Sequence, residues 1–110
     1  MSRDWRLYLD DIREGCEKVV RYVRGMDKAV FLSDEKTYDA VLRNLEVIGE
    51  AAKYLPEEIK AQHPEINWRK VVGLRDVIAH AYFGLNHAVL WDIVSQKVPE
   101  LLERIRKIPE

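Results

Sequence analysis

Apolar residues in this chain recur at steps of three and four, with little to interrupt them. Trp5, Tyr8, Leu9, Ile12, Cys16, Val19, Val20 and Val23 form the first such series. Side chains three and four apart share a face of an α-helix, so the series predicts one apolar stripe along a helix of about six turns. Gly25 stands where that helix should end. Ser33 and Asp34 precede a second stripe of Tyr38, Val41, Leu42, Leu45, Ile48, Ala52 and Leu55. Their side-chain oxygens suit the free N–H groups of a first turn. Pro56 then stops or redirects the chain.

Residues 56–67 read as a short helical turn and a loop, punctuated by Pro64 and Asn67. A third helix is expected after Asn67, through Val71, Val72, Leu74 and Ile78 toward Ala81, with a bend at Gly73. Gly84 breaks the period and Asn86 caps a last helix. That helix uses Val89, Leu90, Ile93, Val94, Val98, Leu101, Leu102, Ile105 and Ile108. Pro99 lies inside this stripe and is predicted to kink it, because proline lacks the N–H and its ring meets the carbonyl four residues back. No segment alternates with period two. The expected fold is all-α: an antiparallel bundle of about four main helices plus short helical turns, one domain over residues 1–110. Gly49, Ala51 and Ala52 fall in the interior of the second helix. A glycine there costs roughly 1 kcal/mol against alanine, and close approach of another helix, from this chain or a second copy, is the usual compensation.

Composition narrows the function classes. The 110 residues carry 18 basic and 19 acidic side chains, a formal net charge of -1. A broad basic face for nucleic acid is excluded by that balance, so any polyanion contact must be local. The single cysteine, Cys16, rules out an intrachain disulfide and every multi-cysteine metal motif, and its place in an apolar stripe predicts a small buried hydrophobe. The charged opening residues do not resemble a signal peptide, and no apolar run approaches the roughly 18 residues of a membrane span. A soluble, cytoplasmic protein without a membrane partner is expected. No HExxH, GxxxxGK or GxGxxG is present, so neither a metal nor a cofactor is anticipated.

The stretch that carries chemistry is GLRDVIAHAYFG, residues 73–84. Five helical steps of about 100° leave Arg75 and His80 roughly 140° apart around the axis, so they are not stacked on one face. Asp76 and His80 are i,i+4 neighbours, placed for the carboxylate to orient the imidazole through one ring nitrogen. The set holds a proton-transfer group, an orienting acid, an anion-binding fork and, at Tyr82, a phenol. These suit metal-independent RNA cleavage: a base takes the ribose 2′-hydroxyl proton, a cation stabilises charge on the phosphoryl oxygens, and an acid protonates the leaving 5′-oxygen. Arg75 suits the cation role because guanidinium stays charged and grips phosphate bidentately. One histidine does not easily serve as base and acid together, so two copies in a dimer are attractive. The same spacing also fits solvated side chains near a helix end. His63, in its loop, and the charged C-terminal helix face read as solvated. His87 reads as a first-turn residue, Asn44 as structural, and Trp68 as an aromatic lid on the core.

EKTYDAVLRNLEVIGEAAKYLPEEI, PEINWRKVVGLRDVIAHAYFGLN and WDIVSQKVPELLERI together resemble the HEPN-domain toxins of bacterial and archaeal toxin–antitoxin pairs, in particular the HepT-like branch. The similarity runs from about Asp11 to Ile108. It implies an all-helical homodimer, a metal-independent ribonuclease site at Arg75 and His80, and a minimal nucleotidyltransferase antitoxin as partner in a type VII-like system. It also implies that the partner transfers AMP to Tyr82, the tyrosine two positions after the histidine. Where related sequences often carry Asn after the arginine, this one carries Asp76, a carboxylate expected to draw Arg75 into a salt bridge and to repel phosphate. A HEPN binding module that docks the nucleotidyltransferase without cleaving RNA is the alternative.

Overall fold

A computed structural model of the chain describes residues 3–84 and 86–109. Every regular element among them is helical. In chain order these are α1 (Trp5–Tyr22), α2 (Lys28–Ser33), α3 (Glu35–Tyr54), α4 (Glu57–Ala61), α5 (Trp68–Val72), α6 (Leu74–Tyr82), α7 (His87–Asp92), a π-helical turn (Ile93–Lys97) and α8 (Val98–Arg106). The all-α expectation holds. Polar residues begin α1, α2, α3, α5 and α7 as the capping argument requires: the Asp34 carboxylate accepts from the Thr37 N–H at 3.1 Å, and Asn67 accepts from Lys70 N–H at 3.2 Å. Asn86 caps α7 from the left-handed region, with φ 57°.

α1 and α3 form the centre of the bundle and run antiparallel. Tyr8 near the start of α1 stacks on Tyr54 at the end of α3, with ring centroids 6.1 Å apart. Midway, Gly15 lies so close to α3 that a Cβ there would stand 2.7 Å from Ile48 Cγ1 and 3.4 Å from the Asn44 carbonyl oxygen. α8 returns along the other side of α1, tied by Arg106 to Glu17 at 3.1 Å. Ile12, Cys16, Val19, Val41, Leu42, Leu45, Ile48, Val94 and their neighbours form one contiguous buried core. Cys16 belongs to it. Desolvation foremost, with Glu17 adding, pushes its thiol up to about 12, as expected of an inert buried hydrophobe.

Two sequence expectations need correction, and a third, at Pro99, is refined. Ser33 is the last residue of an additional helix, α2, rather than a cap of the long one. Asp27 caps α2, accepting from Val30 N–H at 2.9 Å, and Phe31 anchors it by packing on Tyr38 and Trp91, both 5.4 Å away. The predicted third helix is two helices, α5 and α6, separated at Gly73 rather than bent there. Pro99 is accommodated by the π-helical turn immediately before α8, so the segment stays helical from His87 to Arg106. The wider turn relieves the ring–carbonyl conflict, and the Ser95 hydroxyl donates to the Trp91 carbonyl at 2.6 Å, giving that acceptor a side-chain partner. Trp68 lids the core as read from sequence: its indole N–H is shared between the carbonyls of Lys60 and His63, both at 3.1 Å.

The small residues of α3 are used inside the chain. A Cβ on Gly49 would meet the Val71 carbonyl oxygen at 3.4 Å and Leu74 Cβ at 3.6 Å, so the glycine lets the α5–α6 junction approach α3. Ala51 and Ala52 are buried as well. This patch is therefore occupied by the chain itself, and it gives no support to a dimer contact.

Candidate active site

Most residues of α6 belong to one of two sides. Leu74, Ile78 and Ala81 are buried against the bundle, while Arg75, Asp76, His80 and Tyr82 face solvent. The apolar spacing thus fixes which side of α6 turns outward, and the polar residues follow. The helix is also pinned at both ends. At its start it packs over Gly49; at its end the Tyr38 hydroxyl on α3 donates to the Ala81 carbonyl at 3.0 Å. Burial foremost, with Asp39 and Tyr82 nearby, raises the Tyr38 phenol above its ordinary value and keeps it a donor. Gly84, with φ +71°, closes the C-terminus through its N–H to the Ala81 carbonyl at 2.9 Å. Tyr82 sits at the last turn with 64% of its surface exposed, next to Phe83 at 80%.

The partner of Arg75 is not the one its neighbour in sequence suggested. Its guanidinium pairs with Glu50 on α3 at 3.4 Å, with both side chains about half exposed. Its aliphatic stem lies over Gly49, where an added Cβ would meet Arg75 Cγ at 3.5 Å. Gly49 and Glu50 therefore form a cradle: the glycine admits the stem and the carboxylate holds the head. Sequence reading noticed Gly49 and missed Glu50. The available signal was a carboxylate beside a glycine in a helix interior, which places the acid at the point where another helix comes close.

Among the described residues, no hydrogen bond or ion pair joins Arg75, Asp76, His80 and Tyr82 to one another. The Asp76–His80 hydrogen bond permitted by the spacing is not formed. Arg75 and Asp76 share a surface depression with Lys53, Arg69, Val72 and Gly73, and His80 is not part of its lining. The remaining histidines are placed differently. His87 meets the Tyr38 ring edge-on at 6.3 Å, and His63 lies 3.5 Å from Glu65, half-buried rather than fully solvated. Asn44 turns its amide back to the Ala40 carbonyl at 2.8 Å, a structural role. No group of three or more His, Cys, Asp or Glu suited to holding a metal occurs among the described residues. No helix described is long and apolar enough to cross a membrane.

Comparison with known proteins places this geometry in a family. Residues 12–108 match the family described as Ribonuclease HepT-like. A provisionally named RNase of Methanocaldococcus jannaschii is 42% identical over 107 residues, covering 97% of this chain and 88% of the relative. A provisionally named ribonuclease HepT of Thermococcus cleftensis is 43% identical over 108 residues, covering 98% of each. A provisionally named RNase of Caldanaerobacter subterraneus is 36% identical over 103 residues, covering 94% of this chain and 92% of the relative. No solved structure matches the chain significantly. With the match spanning nearly all of α1 through α8, the chain belongs to the HepT-like ribonuclease family.

Proposed function

We propose that this protein is a HEPN-type endoribonuclease that cleaves RNA without a metal ion, using Arg75 and His80. The reading is carried by one observation: in a member of the HepT-like ribonuclease family, Arg75, His80 and Tyr82 all project to solvent from one short helix that Leu74, Ile78 and Ala81 anchor in the bundle. Neutral imidazole takes the proton of a ribose 2′-hydroxyl. The 2′-oxygen attacks the adjacent phosphorus, and the bond from phosphorus to the 5′-oxygen breaks. That oxygen leaves with a proton from an imidazolium, so the products are a 2′,3′-cyclic phosphate and a 5′-hydroxyl. Arg75 offsets the charge on the non-bridging oxygens. Asp76, within reach of the same turn, orients His80 once substrate is bound.

Base and acid are drawn from two copies of the chain, so the active form is a two-fold homodimer with both Arg75/His80 sets at one cleft. The single histidine of the set supports this, since one imidazole does not easily serve as base and acid together. So do Tyr82 and Phe83, large apolar side chains left exposed beside the site, which are typical of a surface that meets another protein. The chain acts as a single domain, supported by its one contiguous core, in the cytoplasm, where its RNA substrate is found. Control is exerted by a minimal nucleotidyltransferase antitoxin. The Tyr82 phenol attacks the α-phosphorus of ATP in the partner's site, an O–P bond to AMP forms, and pyrophosphate departs. The exposure of Tyr82 makes that attack sterically open, and the added phosphodiester would compete with RNA for Arg75. The second reading, a docking module without cleavage, is favoured by the two carboxylates, Glu50 and Asp76, that stand beside Arg75.

His80→Ala should lower RNA cleavage by about 10²-fold or more, the effect of a lost acid–base group. Arg75→Ala should do comparable damage, and excess chelator should do none. Equal cleavage by wild type and His80→Ala would leave the docking module as the better account. Coexpression with the nucleotidyltransferase should add the mass of AMP to wild type and not to Tyr82→Phe.

A further inference from the structure

The depression beside Arg75 gathers side chains from three helices: Lys53 from the end of α3, Arg69 from α5, and Arg75 and Asp76 from α6, over a floor of Val72 and Gly73. Three cations and one carboxylate meet here, on a chain whose net charge is -1. Arg75 is already matched by Glu50. Asp76 offsets one of the two remaining cations, so the depression keeps a net surplus of one positive charge, supplied by Lys53 and Arg69. Among the described residues neither has a carboxylate within 4.0 Å. The Lys53 ammonium instead lies 5.6 Å from the Tyr54 ring centroid.

These charges are not a run along one solvated helix face. They are brought together by the two close approaches that build the site, Gly49 under α6 and the α5–α6 separation at Gly73. Cations outnumber carboxylates in the depression, and a patch of this kind concentrates anions locally. The composition allowed only a local polyanion contact, and this depression, which includes Arg75, offers one.

We infer that the depression is the subsite for the RNA backbone, in which Lys53 and Arg69 bind phosphates flanking the one at which Arg75 acts; this rests on the ribonuclease reading of Arg75. Contacts of this type position the strand and carry no base information, so the subsite accepts RNA of any sequence. Strength comes from counter-ion release and falls with salt.

The test uses the full chain and a fluorescent 2′-O-methylated RNA oligonucleotide, which lacks the attacking hydroxyl, titrated over a salt series. Loss of two phosphate contacts on a single strand should reduce the slope of log K against log salt by about 1.4 in Lys53→Ala/Arg69→Ala. Affinity should fall with it, and Lys53→Arg/Arg69→Lys should retain both. Lys18→Ala/Arg24→Ala, which removes two exposed cations from α1 and the turn after it, should change neither. An unaltered slope in Lys53→Ala/Arg69→Ala would overturn the subsite, and so would an equal loss in the α1 control. Cleavage of unmodified RNA separates the two ideas. Wild type that binds with the expected slope but does not cleave keeps the subsite and removes the ribonuclease reading. Wild type that cleaves, with KM unchanged in Lys53→Ala/Arg69→Ala, removes the subsite and keeps the enzyme.

Discussion

The seam between α1 and α3 and the outward side of α6 are built from the same helical period and serve opposite ends. Along the seam every position is committed: Ile12, Val19, Leu45 and Ile48 are fully buried, and Gly15 is there because Ile48 leaves no room for a Cβ. On the outward side of α6 the four residues expected to do chemistry make one ion pair, Arg75 to Glu50, and otherwise face solvent. Close packing leaves the seam no freedom and the site a good deal of it. Substitutions should therefore separate the two regions, with stability read at the seam and activity read at α6.

The sharpest break of that contrast is Leu45→Ala. Removing a buried leucine from a packed helix interface should cost about 2–5 kcal/mol of unfolding free energy, measured by urea denaturation. Gly15→Ala comes next. Its methyl must displace Ile48, a stiff β-branched neighbour held by the core, so a loss of about 1–3 kcal/mol is expected. Ile48→Val in the same chain should recover only a small part of it, since it removes Cδ1 at 3.2 Å and keeps Cγ1, the atom at 2.7 Å. Tyr38→Phe is smaller, about 1 kcal/mol for one hydrogen bond to the Ala81 carbonyl. It sits between the two regions, and faster hydrogen exchange at the end of α6 is the additional readout. His80→Ala should be the least disruptive, within about 0.5 kcal/mol, because an exposed side chain without a partner leaves nothing unsatisfied. A destabilisation of several kcal/mol there would mean that His80 is structural and that the two regions are not separable.

The seam was legible in the sequence because burial has a period. The stripe from Trp5 to Val23 matches α1, and the stripe from Tyr38 to Leu55 matches α3 and its C-cap. The site was half legible. Arg75, His80 and Tyr82 stood out by chemistry, and the flanking stripe placed them on the outside of a helix. Glu50, Lys53 and Arg69 did not stand out, because charged residues on helices usually mark solvated faces. Their meaning comes from which helices pack together, and no period records that. The same holds for α2, a six-residue helix too short to show a stripe, and for the π-helical turn before Pro99, where a helical pattern runs on unbroken through a change of winding.

The claim that Arg75 and His80 cleave RNA through the 2′-hydroxyl is tested most directly by the chemistry of the cut ends. Purified protein, with excess chelator, should convert an unmodified RNA oligonucleotide into fragments ending in 2′,3′-cyclic phosphate and 5′-hydroxyl, identified by mass. It should leave the 2′-O-methylated strand intact, and His80→Ala should lose the activity. Fragments ending in 3′-hydroxyl and 5′-phosphate, or cutting of the methylated strand, would contradict the account.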